Sequence, residues 1–142
     1  MYDMIIIGAG PAGMAAAIYA KRAELKVLLL ERATAGGQII NTYEVDNYPG
    51  IPGVDGFTLA DKFSEHCNRL EVERKDGEVS KVENDGAVKR IVLDNGETLE
   101  TKTIVIATGA ANKKLGVPGE EEFRGMGVSY CATCDGAFFR NK

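Results

Sequence analysis

Gly8-Ala9-Gly10-Pro11-Ala12-Gly13 follows the apolar run at residues 4–7 and opens an alanine-rich stretch over residues 11–23. That order decides the fold. A short, continuous apolar run ending in glycine reads as a buried parallel strand. Ala15, Ala16, Ala17 and Ala20 then favour a helix with a narrow profile for packing on a sheet. Each glycine has its own task in such a loop: a tight turn, a close approach of backbone to pyrophosphate, and close helix–strand packing. The helix N-terminus adds free amide N–H groups and a positive dipole end. Residues 26–31 form a second buried strand, and Glu31 ends it where an acid can accept hydrogen bonds from ribose hydroxyls. Strand, helix and strand make a βαβ unit with a right-handed crossover. Dinucleotide binding is the expectation; the bland alternative is a glycine-rich turn in an unrelated α/β protein.

Outward from this unit, residues 33–56 are dense in Gly, Asn and Pro. A loop of that length is usually functional or carries structure of its own. Residues 58–70, with Leu59, Phe63 and Leu70, have the spacing of an amphipathic helix. Three short strands follow at 78–83, 88–93 and 98–101. The turn signals Asn84-Asp85-Gly86 and Asp94-Asn95-Gly96 join them into a meander. Residues 103–107 are a further buried strand running into Thr108-Gly109. The texture then changes: residues 113–118 read as a linker, Glu120-Glu121-Glu122 as an exposed acidic run, and the tail from Phe123 as too poor in apolar residues for its own core. The domains expected are therefore 1–112, a hinge at 113–118, and the beginning of a second domain at 119–142.

Composition narrows the function classes. The 142 residues carry a net charge of −4 without a basic block, which argues against nucleic acid as the main partner. No stretch reaches the roughly 20 apolar residues of a membrane helix, and the N-terminus lacks the pattern of a secretory signal. The cytoplasm is the expected compartment. In that setting three cysteines point to redox or metal chemistry more than to structural disulfides.

Cys131-Ala132-Thr133-Cys134-Asp135 carries that chemistry. A Cys-x-x-Cys pair can close a reducible ring and often depresses one thiol pKa, and the following acid can move a proton. Three readings stand: a redox-active pair, zinc ligands, or inert thiols. Zinc would want two further ligands. Cys67 and the single histidine, His66, adjoin each other on the 58–70 helix and so face different ways. Cys67 reads as core packing and His66 as a surface histidine.

The run Gly127-Val128-Ser129-Tyr130-Cys131-Ala132-Thr133-Cys134-Asp135-Gly136 resembles the active site of bacterial-type, low-molecular-weight thioredoxin reductases. The phosphate loop, Gly36-Gly37-Gln38, Asn47-Tyr48-Pro49-Gly50 and Ala107-Thr108-Gly109 extend the resemblance over nearly the whole chain. It implies a Rossmann-like FAD-binding α/β domain, a parallel sheet with a βαβ unit plus a three-stranded antiparallel meander, incomplete in this chain. Gly8, Gly10, Pro11, Ala12 and Gly13 would hold the pyrophosphate, with Glu31 and Arg32 at the end of the second strand. Gly36, Gly37, Gln38, Asn47, Thr108 and Gly109 would complete the FAD site. Taken singly, Gln38 and Asn47 have the alternative reading of ordinary turn residues.

In that family NADPH reduces FAD, and the flavin passes two electrons to a disulfide, here Cys131–Cys134. Cys134 would face the flavin, Cys131 would attack the thioredoxin disulfide, and Asp135 would shuttle the proton. The resemblance also implies a homodimer and a domain rotation about residues 113–118. Full members carry a second nucleotide loop, basic residues for NADPH and a closing FAD segment that these residues lack. The expectation is thus a fragment without NADPH-dependent activity alone. A ferredoxin donor, another acceptor, or a non-enzymatic FAD-binding module are the alternatives.

Overall fold

The computed structural model describes residues 1–140, without the side chains of Thr133, Cys134 and Ala137. Two compact units emerge, residues 1–109 and residues 110–142.

The first unit is built on a six-stranded sheet of β1 (Tyr2–Ile7), β2 (Val27–Glu31), β3 (Glu73–Asp76), β4 (Val79–Asp85), β5 (Val88–Leu93) and β6 (Thr98–Ile106), in the order β3-β2-β1-β6-β5-β4. Strand β1 (Tyr2–Ile7) leads through helix α1 (Pro11–Arg22) to β2 (Val27–Glu31), paired parallel to β1 with Ile5 opposite Leu28. These are the strand, helix and strand of the glycine-loop reading. Helix α2 (Gly56–Arg69) begins two residues before the hydrophobic spacing suggests. Asp55 caps it, its carboxylate accepting the Thr58 N–H at 2.8 Å. The loop before it has structure of its own: a 3-10 turn over Gly37–Asn41 and a bridge between Val45 and Val54.

Two strands differ from the expectation. Strand β3 (Glu73–Asp76) lies parallel to β2 at the sheet edge, although its sequence, Glu-Arg-Lys-Asp, has no apolar residue. Such charge suits an edge. Residues 98–101 and 103–107, expected as separate strands, are one strand, β6 (Thr98–Ile106). Its first half pairs antiparallel with β5 (Val88–Leu93), which in turn pairs with β4 (Val79–Asp85). Its second half runs parallel to β1, with Ile104 opposite Ile5. Thr101 belongs to both ladders, opposite Lys89 and Tyr2, and is fully buried. Its hydroxyl donates to the Thr103 carbonyl at 2.9 Å, so a polar side chain survives burial at the junction.

The sheet has a core on each face. On one, Ile6, Leu29, Met14, Ala17 and Cys67 pack α1 and α2 against β1 and β2. On the other, Ile5, Leu28 and Leu30 meet Ile91 and Leu93 of the meander. Cys67 is completely buried and His66 is exposed, as their places on α2 suggested.

The second unit has a short helix α3 (Ala132–Asp135) followed by a 3-10 turn, Gly136–Phe139. None of its described hydrophobic side chains is buried. Polar contacts hold it instead, and they centre on Glu120.

Candidate cofactor cradle and redox segment

The carboxyl ends of β1, β2 and β6 lie side by side, with β1 in the middle. In open α/β sheets, ligands bind at such an edge where chain connections diverge. Gly8 leaves β1 with φ +103°, and a Cβ there would meet the Ala107 carbonyl oxygen at 2.4 Å. Gly13, one turn into α1, packs so closely that a Cβ would lie 1.8 Å from the Gly8 carbonyl oxygen. Both positions demand glycine for the fold itself. Gly10 is different. A Cβ on it would have Gly37 Cα at 3.9 Å as its nearest neighbour, so its missing side chain leaves room rather than relieving a clash. Pro11 occupies the first turn of α1, where a missing N–H costs nothing.

Glu31 organises the loop from β2. Its Oε2 accepts the Ala9 N–H at 2.7 Å, while Oε1 accepts the N–H groups of Arg32 at 2.9 Å and Ala33 at 3.0 Å. The carboxylate is therefore fixed before any ribose reaches it, and its Oε2 has the capacity for a further bond. The Ala9 carbonyl accepts the Gly36 N–H at 2.8 Å, which draws the Gly36-Gly37 turn against the phosphate loop. Gly36 and Gly37 have φ of +118° and +62°. Thr108 stands beside Gly8, its Cα 3.2 Å from where a Cβ on that glycine would be, and exposed Gly109 follows it. Gln38 is exposed in the 3-10 turn. Asn47 is exposed on the following loop beside Tyr48, whose ring meets Phe63 edge-on at 5.8 Å. The structure thus gathers Gly8 to Gly13, Glu31, Arg32, Gly36, Gly37 and Thr108 at one sheet edge. The open space at Gly10, the N-terminus of α1 and the fixed carboxylate together fit a dinucleotide's pyrophosphate and ribose.

In the second unit, Cys131 directly precedes α3, and the Asp135 N–H donates to its carbonyl at 2.9 Å. Ser129 ties the segment together. Its hydroxyl donates to Asp135 Oδ2 at 2.6 Å and accepts the Cys131 N–H at 3.1 Å. The Cys134 side chain, expected to face the flavin, lies outside the described residues.

The description "pyridine nucleotide-disulphide oxidoreductase" belongs to the family model that matches residues 2–142. The chain belongs to that family. Over all 142 residues it is 49% identical to the thioredoxin reductase of Listeria monocytogenes, 100% of this chain against 44% of that protein. The crystal structure of Lactococcus lactis thioredoxin reductase in its FR conformation superposes with a TM-score of 0.84 at 51% identity. That match covers 97% of this chain and 45% of the other. A ferredoxin-flavin thioredoxin reductase from Clostridium acetobutylicum matches with a TM-score of 0.75 and 38% identity, over 97% of this chain and 47% of that one. The chain thus spans less than half the length of these relatives. The sequence resemblance to thioredoxin reductases and the Rossmann-like architecture are both borne out, and flavin binding goes with the family.

The sequence gives no sign of one residue near the cysteines and misleads about another. Ser129 gave no signal as an Asp135 partner, because a serine two residues before a cysteine has many ordinary roles. Glu120, expected in an exposed acidic run, is 5% exposed, while Glu121 and Glu122 are exposed as expected. Its Oε1 accepts the Tyr130 hydroxyl at 2.5 Å and the Leu115 N–H at 2.9 Å, and its Oε2 accepts the Gly116 N–H at 2.6 Å. Hydrogen bonding from Tyr130, then from Leu115, holds the Glu120 carboxyl below its ordinary value. The same bond pushes the Tyr130 phenol up to about 12.

Proposed function

We propose that this chain is the FAD-binding and disulfide-bearing part of a thioredoxin reductase that takes electrons from NADPH. The observation that carries the reading is a phosphate-loop cradle and a Cys-x-x-Cys-Asp segment in one chain that is 49% identical to a thioredoxin reductase over its whole length.

Gly10 and the N-terminal amides of α1 would bind the pyrophosphate of FAD, and Glu31 would accept from its ribose. Arg32, Gly36, Gly37, Gln38, Asn47, Thr108 and Gly109 would border the remainder. FAD supplies a two-electron carrier between a nicotinamide and a disulfide. The chain's own chemistry is thiol–disulfide exchange. The Cys131 thiolate attacks one sulfur of oxidised thioredoxin, forming a mixed disulfide and releasing one thioredoxin thiolate, which takes up a proton. The Cys134 thiolate then attacks Cys131 Sγ. This closes the Cys131–Cys134 disulfide and releases the second thioredoxin thiolate. Asp135 holds and moves the proton, with its carboxylate placed by Ser129. Residues 113–118 act as the hinge between the FAD domain, 1–112, and the nucleotide domain that begins at 119. A homodimer in the cytoplasm completes the reading; among the described residues no helix is long and apolar enough to cross a membrane.

The test is the visible spectrum of purified protein, followed by thioredoxin reduction with NADPH. At the full length of its relatives the protein should be yellow and turn over, and Cys134→Ser should abolish turnover without bleaching the colour. Residues 1–142 alone should show no sustained NADPH-dependent reduction. Colourless full-length protein, or turnover that survives Cys134→Ser, rejects the reading. The ferredoxin-flavin relative from Clostridium favours a second donor. Turnover with reduced ferredoxin and not with NADPH would replace the donor while keeping the disulfide chemistry.

A further inference from the structure

Glu120 is a carboxylate with three donors in a unit that has no buried apolar side chain among its described residues. Two donors are the backbone N–H groups of Leu115 and Gly116. The third is the hydroxyl of Tyr130, the residue immediately before Cys131. The opposite ends of this clamp are thus the segment entering the second unit and the peptide leading into the cysteine motif. Arg124 strengthens one end, its guanidinium standing 5.6 Å from the centre of the Tyr130 ring. The Glu120 N–H donates to the Val117 carbonyl at 3.2 Å, and Lys114 pairs with neighbouring Glu121, so the same short run grips the entering segment again.

We propose that Glu120 is a positioning residue for the cysteine pair, locking Tyr130, and through it Cys131, to the chain at Leu115 and Gly116. The physical reason is economy of contacts. A stretch without an apolar core can hold a reactive backbone in place only through directed bonds, and charge-assisted ones are the strongest available. Leu115, Gly116 and Cys131 then move as one body, so any motion of the entering segment carries the sulfur with it. The proposal rests on the reading of Cys131 and Cys134 as an electron-carrying pair.

The test uses the full-length enzyme and Tyr130→Phe, which removes the hydroxyl and keeps the ring that Arg124 stacks on. Two quantities are read: hydrogen exchange at the Leu115 and Gly116 amides, and the rate of electron passage from dithionite-reduced flavin to the cysteines by stopped-flow absorbance. The clamp requires exchange at these amides to rise about tenfold or more, because a charged acceptor has lost a donor. It also requires electron passage to slow about tenfold or more, as expected for a misplaced reacting group. Flavin content and the rate of flavin reduction should stay at wild-type values. Unchanged exchange overturns the proposal, and so does faster exchange with wild-type electron passage. Should Tyr130→Phe lose its flavin, Glu120→Gln is read in the same two ways. A wild-type enzyme whose cysteines never cycle overturns the redox reading as well, whereas a wild-type rate in the variants overturns the positioning role alone.

Discussion

Residues 1–109 and the described residues of the second unit, 110–140, hold their shape by opposite means. In the first unit, apolar side chains on both faces of a sheet are removed from water, and Ile5, Ile6, Leu28 and Leu29 are 0–1% exposed. In the second, Leu115, Val117 and Met126 are exposed and the organising residue is the Glu120 carboxylate. An apolar core is stabilised by buried area and depends on no single partner at its rim. A polar clamp is stabilised by a few directed bonds, any of which can release it. The difference suits the proposed division of labour, in which one unit holds a cofactor rigidly and the other moves two sulfurs between partners.

Four predictions bear on that contrast. The largest effect should come from Gly13→Ala, since its Cβ would stand 1.8 Å from backbone oxygen. The first unit should lose about 3 kcal/mol or more, read as a lowered midpoint in denaturant. Gly10→Ala, in open space, should leave that midpoint near wild type and weaken flavin retention instead. Equal destabilisation by both would erase the distinction between fold glycine and ligand glycine. Next, Leu29→Ala should cost about 2–5 kcal/mol in the same assay, with exchange at Leu115 and Gly116 unaffected.

The third prediction concerns pH. Glu120 has a depressed carboxyl, so its stabilisation is present above the ordinary carboxylate value and is lost as pH falls through the lower folded value. Tyr130 is raised, so its contribution holds below about 10 and disappears as pH rises through about 12. Protection of the Leu115 and Gly116 amides, corrected for intrinsic exchange, should be flat through neutrality and fail first on the acid side. Protection that already falls between pH 6 and 8 would contradict the clamp. The smallest effect belongs to Arg69→Ala, which breaks an exposed i,i+4 pair with Glu65 at 2.8 Å. Thermal unfolding should register about 0.5 kcal/mol or less.

The sequence made the βαβ unit, the meander turns and the phosphate loop readable because each has a local signature. Gly86 and Gly96, with φ of +72° and +83°, sit in the turns that the Asp-Gly and Asn-Gly pairs announced. Strand β3 was illegible because its pairing with β2 is made by backbone and its side chains are all charged. The unity of β6 was hidden for a related reason: Thr101-Lys102-Thr103 looks like a polar break, yet Thr101 is buried through its bond to the Thr103 carbonyl. Glu120 was misread because an acidic triplet is ordinarily solvated. What makes one of the three different is that the fold brings to it the Tyr130 hydroxyl and the backbone N–H groups of Leu115 and Gly116. Among the cysteines the contrast was legible: Cys67 is buried and burial pushes its thiol up, as suits an inert core residue.

The most direct test is to reduce the full-length protein anaerobically with dithionite, which bypasses the identity of the natural donor, and to map thiol labelling at each cysteine before and after oxidised thioredoxin is added. The account predicts that Cys131 and Cys134 become labelled on reduction and lose that label together as thioredoxin is reduced, with Cys67 unreactive throughout. Thioredoxin reduction with Cys131 and Cys134 unlabelled at every stage would contradict it.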